Sequence, residues 1–199
     1  MDDTSAKKES YHHGALRGEL IRLGLEALER DGAEALSLRS LAEAAGVSKT
    51  APYRHFRDKE RFLGVLADEG FRQLCAELEA AVGEGPERVA RMGRAYMAFA
   101  LRRPALYRLM NSPLFCRMPA ELIGWARRSL MLLAAALADG GRDAPGGKSA
   151  AAPDMDATTA VWAYIHGLVL LRIDGLYPAD LPEPDWERLA GTEPSVSLA

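Results

Sequence analysis

The sequence predicts an all-α protein with a three-helix head, a connecting helix and a larger helical body. Apolar residues recur at intervals of three and four through most of the chain, with little of the alternation that marks a half-buried strand. Glycine and proline cut the chain into helix-length pieces. A hydrophobic content of 48% over 199 residues supplies a sizeable core.

Residues 1–12 read as a flexible polar arm, with His12 and His13 either approaching a partner from its end or simply exposed. In the first helix Leu16, Leu20, Leu23 and Ala27 form one apolar stripe that closes near Asp31 and Gly32. Ser37 is placed to cap a second helix with Leu38, Leu41, Ala42 and Ala45 on one face, stopped by Gly46. A short third helix is expected over Ser48 to Phe56. Asp58 then caps a longer helix bearing Phe62, Leu63, Leu66, Phe71, Leu74 and Leu78.

This divides the chain into a head at 13–57, a connecting helix at 58–82 and a body at 83–199. Gly83, Gly85 and Pro86 interrupt the helical pattern at that link. Helices are expected over Val89 to Leu101 and Pro104 to Met110, parted at Arg103 because a residue before proline avoids the helical region. Pro119 is placed to open another helix running through Leu137. Asp139 to Asp154 reads as a mobile connector, Asp156 to Arg172 as a strong last helix, and Trp186 and Leu189 as docking points of the tail.

Lys and Arg total 25 against 28 Asp and Glu, a net charge of -3 that argues against a general polyanion binder. Between Lys49 and Arg61 the balance reverses, with Lys49, Arg54, Arg57, Lys59 and Arg61 against Asp58 and Glu60. Cys75 and Cys116 are the only cysteines, so neither a disulfide framework nor a thiolate metal site is indicated. Met1 to Ser10 lacks the apolar core of a secretion signal, and no apolar run reaches membrane-spanning length. A cytoplasmic location with no membrane contact is the expectation.

Ser37 to Phe56 has the features of a helix-turn-helix. Ala42 and Ala45 let two helices cross closely, Gly46 lets the backbone leave the first in a left-handed conformation, and Val47 seals the turn. Ser48 as cap would bring Lys49 and Thr50 to the positive end of a reading helix. Pro52 then costs one early backbone bond, or none if capping shifts to Thr50. Phe56 is expected in the core, and Tyr53 either there or at a phosphate.

Leu41 to Ser48, followed by Tyr53-Arg54-His55-Phe56 and Lys59-Glu60, resembles the TetR family of bacterial regulators over roughly His13 to Leu78. The resemblance implies a head whose third helix enters the major groove, and a helical domain that dimerises and binds an inducer. It places Lys49, Thr50 and Ala51 on the exposed side of the reading helix, with Tyr53, His55 and Lys59 positioning the backbone. Ser37 and Arg39 reach the phosphate path from the preceding helix. Pro52 departs from the small polar or aliphatic residue common in the family.

In the body, Tyr96, Phe99, Tyr107, Met110, Phe115, Trp125 and Met131 are either core or the lining of a cavity for an apolar or amphipathic small molecule. Trp162, His166 and Gly167 resemble the tryptophan-histidine-glycine signature of a TetR C-terminal subgroup. Trp162 and His166 share a helix face as further ligand candidates, and Val161, Ile165, Leu168 and Arg172 are candidates for a dimer interface. The other three histidines are His12, His13 and His55, so His166 has no ligand cluster for a metal. No nucleophile elbow or phosphate loop points to an enzyme, and no cofactor is implied beyond a small-molecule effector.

The resulting expectation is a homodimeric, ligand-responsive repressor of a roughly palindromic site in double-stranded DNA. An activator, and a helical interaction protein that does not bind DNA, are the alternatives.

Overall fold

The computed structural model describes residues 3–140, 154–178, 180–181, 184 and 186, with side chains from residue 15 onward except those of 85 and 140. His12, His13 and Leu189 as side chains, and residues 141–153 of the expected connector, lie outside the described residues.

The fold is all-α, with N-terminal helices forming a helix-turn-helix-like head and a larger helical bundle. In order come α1 (Asp3–Ala35), α2 (Leu38–Ala44), a 3-10 turn (Ala51–Arg54), α3 (Lys59–Ala80), α4 (Gly85–Arg102), α5 (Pro104–Met110), α6 (Pro113–Cys116), a second 3-10 turn (Ala120–Leu122), α7 (Gly124–Gly140) and α8 (Met155–Ile173). The backbone is already helical from Asp3, where an arm over 1–12 was expected. The chain forms two compact units: Met1–Gly70 with Ala105–Ile123, and Phe71–Pro104 with Gly124–Ala199. Residues 105–123 cluster by contact with the first unit.

In the first unit Leu20 and Leu28 are fully buried along α1. Between them lies Gly24, where a Cβ would stand 2.5 Å from Phe62 Cζ, so only glycine admits the Phe62 ring against the helix. Phe62 in turn meets Phe56 edge-on, with centroids 4.6 Å apart. Met118 and Leu122 lie over Gly64, and Leu106 and Met110 over Gly70, which packs 105–123 onto α3. The Glu29 carboxylate accepts the backbone N–H groups of Ala105 (3.2 Å) and Leu106 (3.0 Å), two donors that the first turn of α5 leaves without helical partners. Pro119 opens only the short turn that delivers Leu122 to this core, and α7 begins later, at Gly124.

The second unit packs α4, α7 and α8 together. Gly85 and Pro86 open α4, because proline lacks only an N–H that the first turn would leave unpaired. Asp154 caps α8 by accepting from the N–H groups of Asp156 and Ala157. Trp186 is buried against Gly93 of α4, the tail docking that the sequence predicts.

Candidate nucleic-acid interface

The turn after α2 is closed by backbone bonds alone. Gly46 takes φ +67° and donates to the Glu43 carbonyl at 3.1 Å, while Val47 donates to Ala42 at 3.0 Å. This pairing satisfies the last carbonyls of α2 and needs a left-handed residue at position 46. At the other end Ser37 caps α2, its Oγ accepting from the Arg39 N–H at 3.3 Å.

The reading segment is shorter than the expected Ser48 to Phe56 helix. An α-helix starting at Ser48 would need residue 52 to donate to the Ser48 carbonyl, and Pro52 has no N–H. That carbonyl instead accepts from Ala51 at 2.9 Å, giving a single 3-10 turn with Thr50 rather than Ser48 at the cap position. The Ser48 and Thr50 hydroxyls lie 3.2 Å apart. Pro52 is buried and its carbonyl accepts from both His55 and Phe56.

This local chemistry sorts the side chains. Pro52 and Phe56 (1% exposed) point into the unit, while Lys49, Thr50, Tyr53 (47% exposed) and Arg54 point out. Ser37, Ala51, His55 and Lys59 are half-buried, and Ser48 and Arg39 are exposed. Tyr53 is therefore a surface residue and Phe56 the core aromatic.

Charge pairing divides the cations of the unit. Arg22 is held by Glu19 and Glu26 (2.6 Å each), Arg30 by Asp31 (2.6 Å) and Lys49 by Glu43 (2.9 Å). The pair formed by Lys49 is exposed on both sides and of the kind worth about 1 kcal/mol or less, so a phosphate can displace Glu43. Lys59 Nζ donates to the Glu34 carbonyl at 2.6 Å, tying the start of α3 to the end of α1. Among the described residues Arg17, Arg39 and Arg54 form no ion pair with a carboxylate. Neither Gly24 nor the Lys59 bond was legible in the sequence, since both join residues far apart in the chain.

The ligand and dimer candidates are divided between the two units. Tyr107, Met110 and Phe115 are buried in the first unit; Tyr96, Phe99, Trp125, Met131, Trp162 and His166 belong to the second. Phe99 is buried, Met131 and Trp162 are exposed, and Tyr96, Trp125 and His166 are half-buried. Burial holds the His166 imidazole below its ordinary pKa, and its ring lies 5.7 Å from that of Trp162. On α8, Ile165 and Leu168 face the interior of their own unit, Val161 is half-buried, and Arg172 stacks on Tyr177 at 4.4 Å. The large apolar groups that α8 exposes are Met155, Trp162, Tyr164 and Leu171.

Among the described residues no group of His, Cys, Asp and Glu could hold a metal ion, and no helix is long and apolar enough to cross a membrane.

A backbone-stapled helix-turn-helix carrying exposed polar and cationic side chains, followed by a helical bundle, defines the class of helical DNA-binding regulators. Residues 20–75 match the family described as bacterial regulatory proteins, tetR family, and residues 89–192 match the tetracyclin repressor-like C-terminal domain. The chain belongs to the TetR family. It is 29% identical over 131 residues to the HTH-type transcriptional repressor Rv1474c of Mycobacterium tuberculosis (strain ATCC 25618 / H37Rv), covering 65% of this chain and 66% of that one. A protein of unknown function from Rhodococcus sp. RHA1 shares 31% identity with a TM-score of 0.71, over 90% of this chain and 92% of the other. The TetR family regulator PfmR of Thermus thermophilus shares the fold at 23% identity, TM-score 0.55, over 86% and 92% of the two chains.

Proposed function

We propose that the protein is a ligand-responsive repressor that binds a near-palindromic duplex site as a homodimer. The observation that carries this reading is the sorting at the turn: Pro52 and Phe56 anchor it, and the outward side chains are those that suit phosphates and base edges. Lys49, Thr50 and Ala51 approach the groove; Ser37, Arg39, Ser48, Tyr53, His55 and Lys59 set the register. Lys59 donates one N–H to the Glu34 backbone carbonyl and keeps two N–H donors for a phosphate.

The exposed face of α8 supports dimerisation. Trp162 on one flank and Tyr164 and Leu171 on the other border an exposed strip of α8, and the small Ala163 between them lets a second helix approach closely. The interface therefore centres on these residues, with Val161 and Arg172 at its edge and Ile165 and Leu168 supporting it from within. Trp162, His166 and Gly167 support an assignment of α8 to the subgroup with that signature. The effector is apolar or amphipathic and is held in the second unit, where Tyr96, Trp125 and His166 are half-buried, the exposure of pocket-lining groups. Release of DNA on binding it requires a higher effector affinity in the DNA-incompetent state. Repression is favoured over activation by the name of the Mycobacterium relative.

Selection from random duplex DNA with the purified protein tests the reading. A near-palindrome should emerge, Thr50→Ala should change the recovered sequence, and Lys59→Ala should weaken binding to all sequences alike. No sequence preference from folded dimer would contradict it. A reporter carrying the recovered site, intact or disrupted, separates repression from activation.

A further inference from the structure

Of the three arginines named above as forming no ion pair with a carboxylate among the described residues, Arg39 already belongs to the proposed interface and Arg54 lies within the reading turn. Arg17, near the middle of α1, is placed there only by the fold. Its guanidinium stands over the Phe56 ring, 5.8 Å from the centroid. Phe56 lies just beyond the reading turn and is almost fully buried, while Arg17 is exposed. The half-buried His55 ring lies 6.2 Å from the same phenyl group.

The contrast with Arg22, one helical turn and a half further along α1, is informative. Arg22 is paired with Glu19 and Glu26, which hold its guanidinium well above the ordinary arginine pKa, so an outside anion would have to compete with two carboxylates for it. Among the described residues Arg17 has no carboxylate partner, and its guanidinium lies over the Phe56 ring. A guanidinium held in place with its N–H fork unused loses little freedom on taking a phosphate.

We infer that Arg17 is a phosphate ligand: it grips the DNA backbone at the C-terminal end of the reading turn and positions that turn in the groove. The inference rests on the DNA-binding reading above and adds a contact from α1. It carries no base specificity, because phosphates are the same at every step.

The test compares wild type, Arg17→Met, Arg17→Lys and Arg22→Met by fluorescence anisotropy on the selected duplex and on a scrambled duplex, from 50 to 200 mM salt. Each phosphate contact contributes about 0.9 to the slope of log affinity against log salt. Arg17→Met keeps the length that covers Phe56 but loses the charge. It should weaken binding to both duplexes about 10-fold at low salt, as expected for a lost charge-assisted contact. The deficit should shrink by about 3.5-fold across the salt range, the change that one lost contact implies. Arg17→Lys should keep the wild-type slope, and Arg22→Met should not alter it. Thermal unfolding of each variant identifies any loss of fold; were Arg17→Met unstable, a wild-type slope for Arg17→Lys beside a reduced one for Arg17→Gln would serve the same end. An unchanged slope in the charge-removing variants overturns the role of Arg17 alone. Absence of wild-type DNA binding overturns the functional reading with it.

Discussion

The reading turn and α8 both present side chains to solvent, and they do so in opposite chemical terms. At the turn the apolar groups, Pro52 and Phe56, are inside and the outward set is Lys49, Thr50, Tyr53 and Arg54. On α8 apolar groups lie on both sides: Ile165, Leu168 and Val169 inside, Trp162, Tyr164 and Leu171 outside. A surface of cations and hydroxyls suits a polyanion, whereas large exposed apolar groups suit another apolar surface. One chain thus carries two surfaces whose chemistry selects different partners.

The contrast is broken most severely by removing the anchor beneath the turn. Phe56→Ala deletes a buried ring that packs on Phe62, and should cost about 3–5 kcal/mol in urea unfolding. A loss under about 1 kcal/mol would mean that the turn does not depend on this core. Next in size, Trp162→Glu with Tyr164→Glu should convert dimer to monomer by light scattering while the helical circular dichroism signal persists. The weakening should be at least about 30-fold, the scale of an interface hot spot. Ile165→Glu should unfold the chain instead. The reverse pattern would exchange the inner and outer faces of α8.

Those two faces also mark where sequence reading stops. The helix order, the caps at Ser37 and Asp58 and the exit at Gly46 depend on residues within a few positions of one another, so local chemistry specifies them. Because α8 is apolar nearly all round, periodicity does not single out an inner face; it offers Ile165 and Leu168 for an interface, while the structure buries both within their own unit. Pro52 is legible as a problem for the reading helix, but its outcome depends on whether the Ser48 carbonyl finds another donor, as it does in Ala51. Glu29 capping α5, and Gly24 receiving Phe62, depend on tertiary approach and leave no local pattern.

Smaller effects sharpen the comparison. Glu29→Ala leaves two N–H groups of α5 without their acceptor and should lower stability by about 1 kcal/mol, the scale of a lost helix cap. Burial depresses the His166 pKa, so the unfolded chain binds the proton more readily. Stability should fall as pH drops below about 6.5, the unfolded value, and His166→Gln should flatten that dependence in thermal melts between pH 7.5 and 5.5. Equal slopes in both proteins would remove His166 from the account. Last, Cys75 is buried and its thiol is pushed up to about 11 by burial, while Cys116 is exposed. Iodoacetamide at pH 8 should label Cys116 in the native protein and reach Cys75 only in denaturant.

The central claim is that two copies of the turn, held by paired α8 surfaces, read one duplex site. The direct measurement is a titration of the full chain on the selected duplex and on a scrambled one at physiological salt, with the mass of the complex read in parallel. The account predicts two chains on each site or a multiple of two, and a preference of about 1,000-fold or more, the lower range for specific regulators. Equal affinity for the two duplexes, or a single chain bound with full preference, would contradict it.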